Sequence, residues 1–311
     1  MKQTHIESAA GDMAAHPASR APGVSRNPGN DVRDSNAGTR VKPKRWDVQD
    51  IDYHAIDLEL ARADETLLAL VAASSLIESA SDVYTANLVE YYSTDSEVGN
   101  WLSAQWQPEE LQHGEALRTY IAEVWPSFDW ETTFKAFIAD YGKYCVAEEL
   151  GPTRALELAA RCVVETGTAT LYRAIHEYAR EPVLRNIVRR ISEDEVGHFK
   201  HFYRYFRKYR GCEKLSRYDV AKALLGRIAE VRRDDAACAF RHVFAGRFPE
   251  SENDEQRLRS WSEDVYRMVK RHYPYPMAVK MLLTPLDLPP KVKPLVGAPL
   301  AFTVRLIMWG L

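Results

Sequence analysis

Ser192-Glu193-Asp194-Glu195-Val196-Gly197-His198 and the earlier Glu109-Glu110-Leu111-Gln112-His113 each contain a Glu-x-x-His unit. On a helix, residues three apart share a face, so each unit aims a carboxylate and an imidazole at one spot. With nine histidines in the chain one such unit is expected by chance, so the weight falls on position. Two helices joined by a short turn run antiparallel, and residues equally far from the turn stand at the same height. The break at Glu181-Pro182 lies close to midway between Glu165 and Glu195, and the break around Ser93–Val98 lies near the midpoint of Glu78 and Glu110. Each hairpin therefore presents a lone glutamate opposite a Glu-x-x-His unit.

Two such hairpins joined by a long crossover give a carboxylate-bridged di-metal bundle with Glu78, Glu110, His113, Glu165, Glu195 and His198 as ligands. Carboxylate and imidazole donors suit iron or manganese, whereas a structural zinc site more often uses cysteine. Glu165 lies among Leu158, Cys162, Ala169 and Tyr172 on an apolar face, and a buried unpaired carboxylate is costly enough to call for a cation. The face of Glu78 (Ser74, Ser75, Asp82, Thr85) is polar and leaves a solvated reading open. Gly114, Gly167 and Gly197 each sit mid-helix beside a proposed ligand, where close packing would account for them.

The surrounding sequence reads as all-α. From about residue 52 to 272, glycine and proline are sparse and strand-like runs are missing, which predicts helices over roughly 53–92, 97–123, 129–149, 152–180, 183–210, 216–244 and 255–272. Residues 1–45 carry almost no large apolar side chains and are expected to be disordered. Residues 46–272 form the expected helical domain. The tail 273–311, with seven prolines among apolar residues, is expected to be an irregular arm that covers the bundle or a sister subunit, with peripheral lipid contact as the sharper reading.

Composition narrows the classes. Net charge is only −3, which gives no sign of nucleic-acid binding. The four cysteines lack CxxC spacing and fit reduced thiols in a cytoplasmic protein. No stretch of about 18 uninterrupted apolar residues predicts a membrane span. The basic aromatic stretch from Lys200 to Arg210 reads either as a solvated helix face or as a docking face for an acidic carrier. His176, His201, His242 and His272 lack a glutamate three residues before them and read as structural or surface residues.

At this point a resemblance enters. The stretch from Trp101 to Tyr120, with Trp106, Glu109, Glu110, His113 and Gly114, is similar to the Trp…Trp…Glu-Glu-x-x-His-Gly helix of soluble acyl-carrier-protein desaturases. Ser192–His198 matches that family's Asp-Glu-x-x-His helix. Over about residues 55–215 the chain resembles this branch of the ferritin-like di-iron oxygenases. The resemblance implies a ferritin-like four-helix bundle with additional helices, two irons held by the six residues named above, and manganese as an alternative at one position. It further implies that Thr168 lies on the O₂ side of the cluster as a catalytic residue and that Asp194 hydrogen-bonds His113. Desaturation or hydroxylation of a fatty acyl chain on acyl carrier protein, a ferredoxin-type electron donor and a homodimer follow in the same way. Ile191 stands where arylamine N-oxygenases carry an additional histidine ligand, and Gly197 stands where desaturases carry a charged residue. Ferritin-type iron storage is the competing reading of the same motif.

Overall fold

Asp52, Asp57 and Asp64 break what the apolar pattern suggests is one long first helix. Asp57 accepts the amide of Leu60, and Asp64 accepts those of Thr66 and Leu67. An aspartate side chain that satisfies the free amides of a first turn starts a new helix. The computed structural model describes residues 45–146, 150–233, 235–252 and 254–310, so the expected disordered segment lies outside the described residues apart from Arg45. A 3₁₀ turn at Val48–Asp50 comes first, and in place of one helix over 53–92 there are a second 3₁₀ turn (Tyr53–Ala55), then α1 (Leu58–Arg62), α2 (Glu65–Ser79) and α3 (Ser81–Tyr91). The break between α2 and α3 is a single residue, Ala80.

The chain then runs through α4 (Ser96–Trp101), a π-helical turn (Leu102–Trp106) and α5 (Gln107–Val124). Next come α6 (Trp130–Tyr141), α7 (Arg154–Tyr178) and α8 (Pro182–Glu213). Pro182 opens α8 in its first turn, where a missing N–H costs nothing. Glu181 caps the same turn by accepting the amides of Val183 and Leu184. Among the described residues there is no strand, and the expected all-helical class is what the structure has.

Helix α2 packs along α5, α7 packs along α8, and α5 meets α8, which brings the two hairpins side by side. An apolar cluster fills each end. One is built on Leu68, Leu76, Tyr120, Ile187 and Ile191, the other on Leu88, Trp106, Leu158, Phe202 and Phe206. Between them lies a band of buried polar side chains. Helix α2 continued into α3 is long and apolar enough to cross a membrane by length and composition, but most of it is buried within the protein.

Around this frame the outer helices differ from expectation. The expected helix 216–244 is two, α9 (Arg217–Arg233) and α10 (Asp235–Arg247). The crossover helix is shorter than 129–149 and stops at Gly142, while residues 147–149 lie outside the described residues. After α11 (Glu255–His272) the tail forms α12 (Tyr275–Leu283) and α13 (Val292–Gly310), so the irregular arm expected from its prolines is helical. Pro276 and Pro294 fall in first turns, where proline is tolerated, and only Pro299 interrupts a helix interior.

Candidate metal centre

The six residues named from spacing come from four helices, Glu78 on α2, Glu110 and His113 on α5, Glu165 on α7, Glu195 and His198 on α8, and all are buried. They meet as two adjoining groups. Ligand atoms of Glu78, Glu110, His113 and Glu195 lie within 4.8 Å of one another, and so do those of Glu110, Glu165, Glu195 and His198. Glu110 and Glu195 belong to both groups. His113 Nδ1 stands 3.0 Å from Glu195 Oε1 and 3.7 Å from Glu78 Oε2. His198 Nδ1 stands 3.0 Å from Glu110 Oε1, 3.5 Å from Glu165 Oε2 and 3.7 Å from Glu195 Oε2.

Five of these atoms, Glu110 Oε1, Glu165 Oε2, Glu195 Oε1 and both Nδ1 atoms, are buried without a hydrogen-bond partner. Buried polar atoms are rarely left so. Clustered in two adjoining groups, such atoms call for shared protons or a cation. Burial, with repulsion from Glu195 and Glu78, pushes the Glu110 carboxyl up to about 8. Burial and Glu195 likewise drive Glu165 well above the carboxylate range. Four acids this close cannot all ionise in a dry core without a counter-charge. The buried Glu/His clusters can therefore hold metal ions.

The far nitrogen of each histidine is fixed by an acid from the opposite helix. His113 Nε2 donates to Asp194 Oδ2 at 3.3 Å, as expected, and His198 Nε2 donates to Glu109 Oε2 at 2.7 Å. Each of these acids directly precedes a glutamate shared by the two groups, so the two halves brace each other crosswise. Donation from Nε2 fixes the tautomer that leaves Nδ1 free to ligate. Glu109 was missed in the sequence, although the doubled acid before each x-x-His is its signal. Trp46 was missed as well; its Nε1 donates to Asp194 Oδ2 at 2.7 Å and its ring stacks on His113. Asp194→Asn and Glu109→Gln, each keeping the size of the side chain, are expected to weaken metal binding roughly 10–100-fold, measured by competition with a chelator.

Thr168 stands beside the cluster. Its hydroxyl donates to Glu195 Oε2 at 2.8 Å from the next turn of α7 after Glu165. Of the polar face around Glu78, Ser74, Ser75 and Thr85 are buried and only Asp82 is exposed. Glu78 accepts from the Tyr172 phenol at 2.5 Å, and Ser75 Oγ donates to the Gly114 carbonyl at 3.0 Å. A Cβ on Gly114 would stand 2.3 Å from Ser79 Oγ and 2.7 Å from its amide nitrogen, so glycine is what lets α2 approach α5 between Glu78 and His113. Gly167 and Gly197 meet no such contact, and close packing does not explain them. Gly114→Ala is expected to cost about 1–3 kcal/mol by overpacking. Thermal melting of the metal-free protein checks this, and an unchanged melting temperature would show that α2 can shift freely.

The basic stretch on α8 is largely engaged. Arg204 pairs with Glu97, Lys208 pairs with Asp95, and Arg210 donates to the Pro285 carbonyl. The four histidines expected to be structural or surface residues have such partners: His176 meets the Arg185 carbonyl, His201 stacks on Trp101, His242 meets Asp140, and His272 packs on Tyr178. Beside the cluster, a cavity of about 100 Å³ is lined by Ile77, Tyr84, Tyr141 and Val164, the first and last directly preceding Glu78 and Glu165. No protein-family model, characterised protein or solved structure matches the chain.

Proposed function

We propose that the chain is a ferritin-like, O₂-dependent di-iron oxidoreductase that desaturates, or in a close variant hydroxylates, a fatty acyl chain presented on a carrier protein. The observation that carries this reading is the sharing of Glu110 and Glu195 by two four-residue groups. Two carboxylates common to both groups suit a pair of neighbouring ions rather than a single one. The side-by-side hairpins, each pairing a lone glutamate with a Glu-x-x-His unit, support the ferritin-like bundle. Glu78 and His113 would complete one site, Glu165 and His198 the other. A donor set without sulfur favours iron, with manganese as an alternative at one position. A bound iron pair supplies the capacity to bind and reduce O₂, which side chains lack.

The protein's own residues supply the rest. Trp106, Cys162 and Phe199 belong to the apolar cluster on the His198 side and exclude water there. The Thr168 hydroxyl can hold or pass a proton at Glu195 Oε2. The Tyr172 phenol, kept protonated by burial and by Glu78, does the same at Glu78 Oε1. Trp46, with the Arg190 guanidinium over its ring and Arg45 beside Asp194, links His113 to a cationic surface suited to an acidic ferredoxin-type donor. The cavity beside Tyr84 is below the roughly 300–1,000 Å³ of ordinary ligand pockets, so a long acyl chain requires it to open.

The test is to load the protein with ferrous iron without air, count the metal, then supply O₂, reductant and a long-chain saturated acyl carrier protein. About two irons per chain and a product two hydrogens lighter, or one oxygen heavier, support the reading. Absence of stoichiometric metal sinks it, and many irons per chain without product moves the case to storage.

A further inference from the structure

We propose that the hairpin of α12 and α13 docks this protein peripherally on an anionic membrane surface. The inference does not depend on the metal reading. From Val265 to Leu311 the sequence holds seven lysines or arginines and a single acid, Asp287, in a chain whose net charge is −3. This basic end is also where large apolar side chains are left in solvent. On α13, Leu295 is 74 % exposed, Phe302 63 %, Val296 38 % and Leu300 37 %. Soluble surfaces seldom show four such residues on one short stretch of helix.

Charge and apolar surface lie together. Between α12 and α13 runs a groove of about 790 Å³ whose floor includes Tyr275, Val279 and Ala301 and whose rim includes Arg271, Lys280 and Lys293. No acid lines it, and among the described residues none of those three cations has an ion-pair partner. A cationic rim above an apolar floor fits an anionic phosphate headgroup with the upper part of its chains, and exposed leucine and phenylalanine fit the adjoining acyl boundary. A second copy of this chain fits less well. A twofold contact through α13 would bring Lys291 and Lys293 of both copies into one interface, where lysine is disfavoured and only Asp287 offsets it. Helix α12 packs on α7, and Tyr273, at the groove, is hydrogen-bonded to Thr170 at 2.9 Å, so the α12 side of the groove is tied to the core.

The test is co-sedimentation of the full chain with vesicles of phosphatidylcholine alone and of equal parts phosphatidylcholine and phosphatidylglycerol. Binding at least about tenfold tighter to the anionic vesicles, and weakening with salt, is expected. Lys291→Gln and Lys293→Gln should each weaken it roughly fivefold. Leu295→Glu combined with Phe302→Glu should remove it while helix content by circular dichroism stays unchanged. Binding to neither vesicle, equal binding to both, or full binding by the double glutamate variant overturns the proposal. A stable dimer in solution that the double variant converts to monomer, with no vesicle binding, assigns the face to a second copy instead.

Discussion

The Glu195→Ala protein is expected to bind almost no metal, whereas Glu78→Ala is expected to keep about one ion of two. The difference follows from geometry. Glu195 places one carboxylate oxygen 3.0 Å from His113 Nδ1 and the other 3.7 Å from His198 Nδ1, so it serves both groups, while Glu78 belongs to one. On the di-metal reading, removing a shared carboxylate would take a ligand from both sites at once. Removing Glu78 leaves Glu110, Glu165, Glu195 and His198 complete. Glu110→Ala should behave like Glu195→Ala, and Glu165→Ala like Glu78→Ala. Elemental analysis after loading and desalting reads the outcome, with circular dichroism to show that the helices persist. If Glu78→Ala and Glu195→Ala lose metal equally, the two groups do not act as a pair with shared bridges, and the di-metal reading falls.

How much of this centre was legible before the structure depended on how local the signal was. The Glu-x-x-His units are set by helical period alone, and their distance from the Glu181-Pro182 break sets the height of Glu165 opposite Glu195. All six residues meet in the structure for those reasons. Glu78 looked ambiguous because Ser74, Ser75, Asp82 and Thr85 read as a solvated face; of these Asp82 is exposed and the other three are not. Those three are buried because α5 comes close enough for Ser75 to bond the Gly114 carbonyl, a fact of packing that no single helix encodes. Trp46 could not be found by period, since it precedes the helices and reaches Asp194 across 148 residues of sequence. The π-helical turn at Leu102–Trp106, just before Glu109 and Glu110, was equally silent, as was the helical state of α13. Proline content argued against a helix there, yet Pro294 falls in the first turn, where proline is tolerated, and only Pro299 lies in the interior.

Metal is expected to stabilise the protein more as pH rises from about 6 to 8.5, and the reason lies in what the site holds without metal. Burial and neighbouring carboxylates raise Glu110 from near 4.5 to about 8, and Glu165 moves the same way. Burial alone would lower His113 and His198, but the carboxylates around them outweigh it and hold both imidazoles well up. Groups with raised folded values contribute stability that is complete below their unfolded values and is lost as pH climbs through the folded ones. Glu195 works in the opposite sense: both histidines hold it down against its burial, so its contribution is present above its ordinary value and lost in acid. Around neutrality the raised groups dominate, and the metal-free protein should melt progressively lower as pH passes through about 8. A metal ion must displace those same protons, so its affinity rises with pH by about tenfold per unit for each proton released. At a free concentration about 100 times Kd the ion adds about 2.7 kcal/mol, which for a protein of this size raises the melting temperature by roughly 4–5 °C. Thermal melts with and without ferrous ion across that range check the expectation. A gap between the two curves that stays constant or narrows toward alkaline pH would mean that the buried cluster is not where the metal binds.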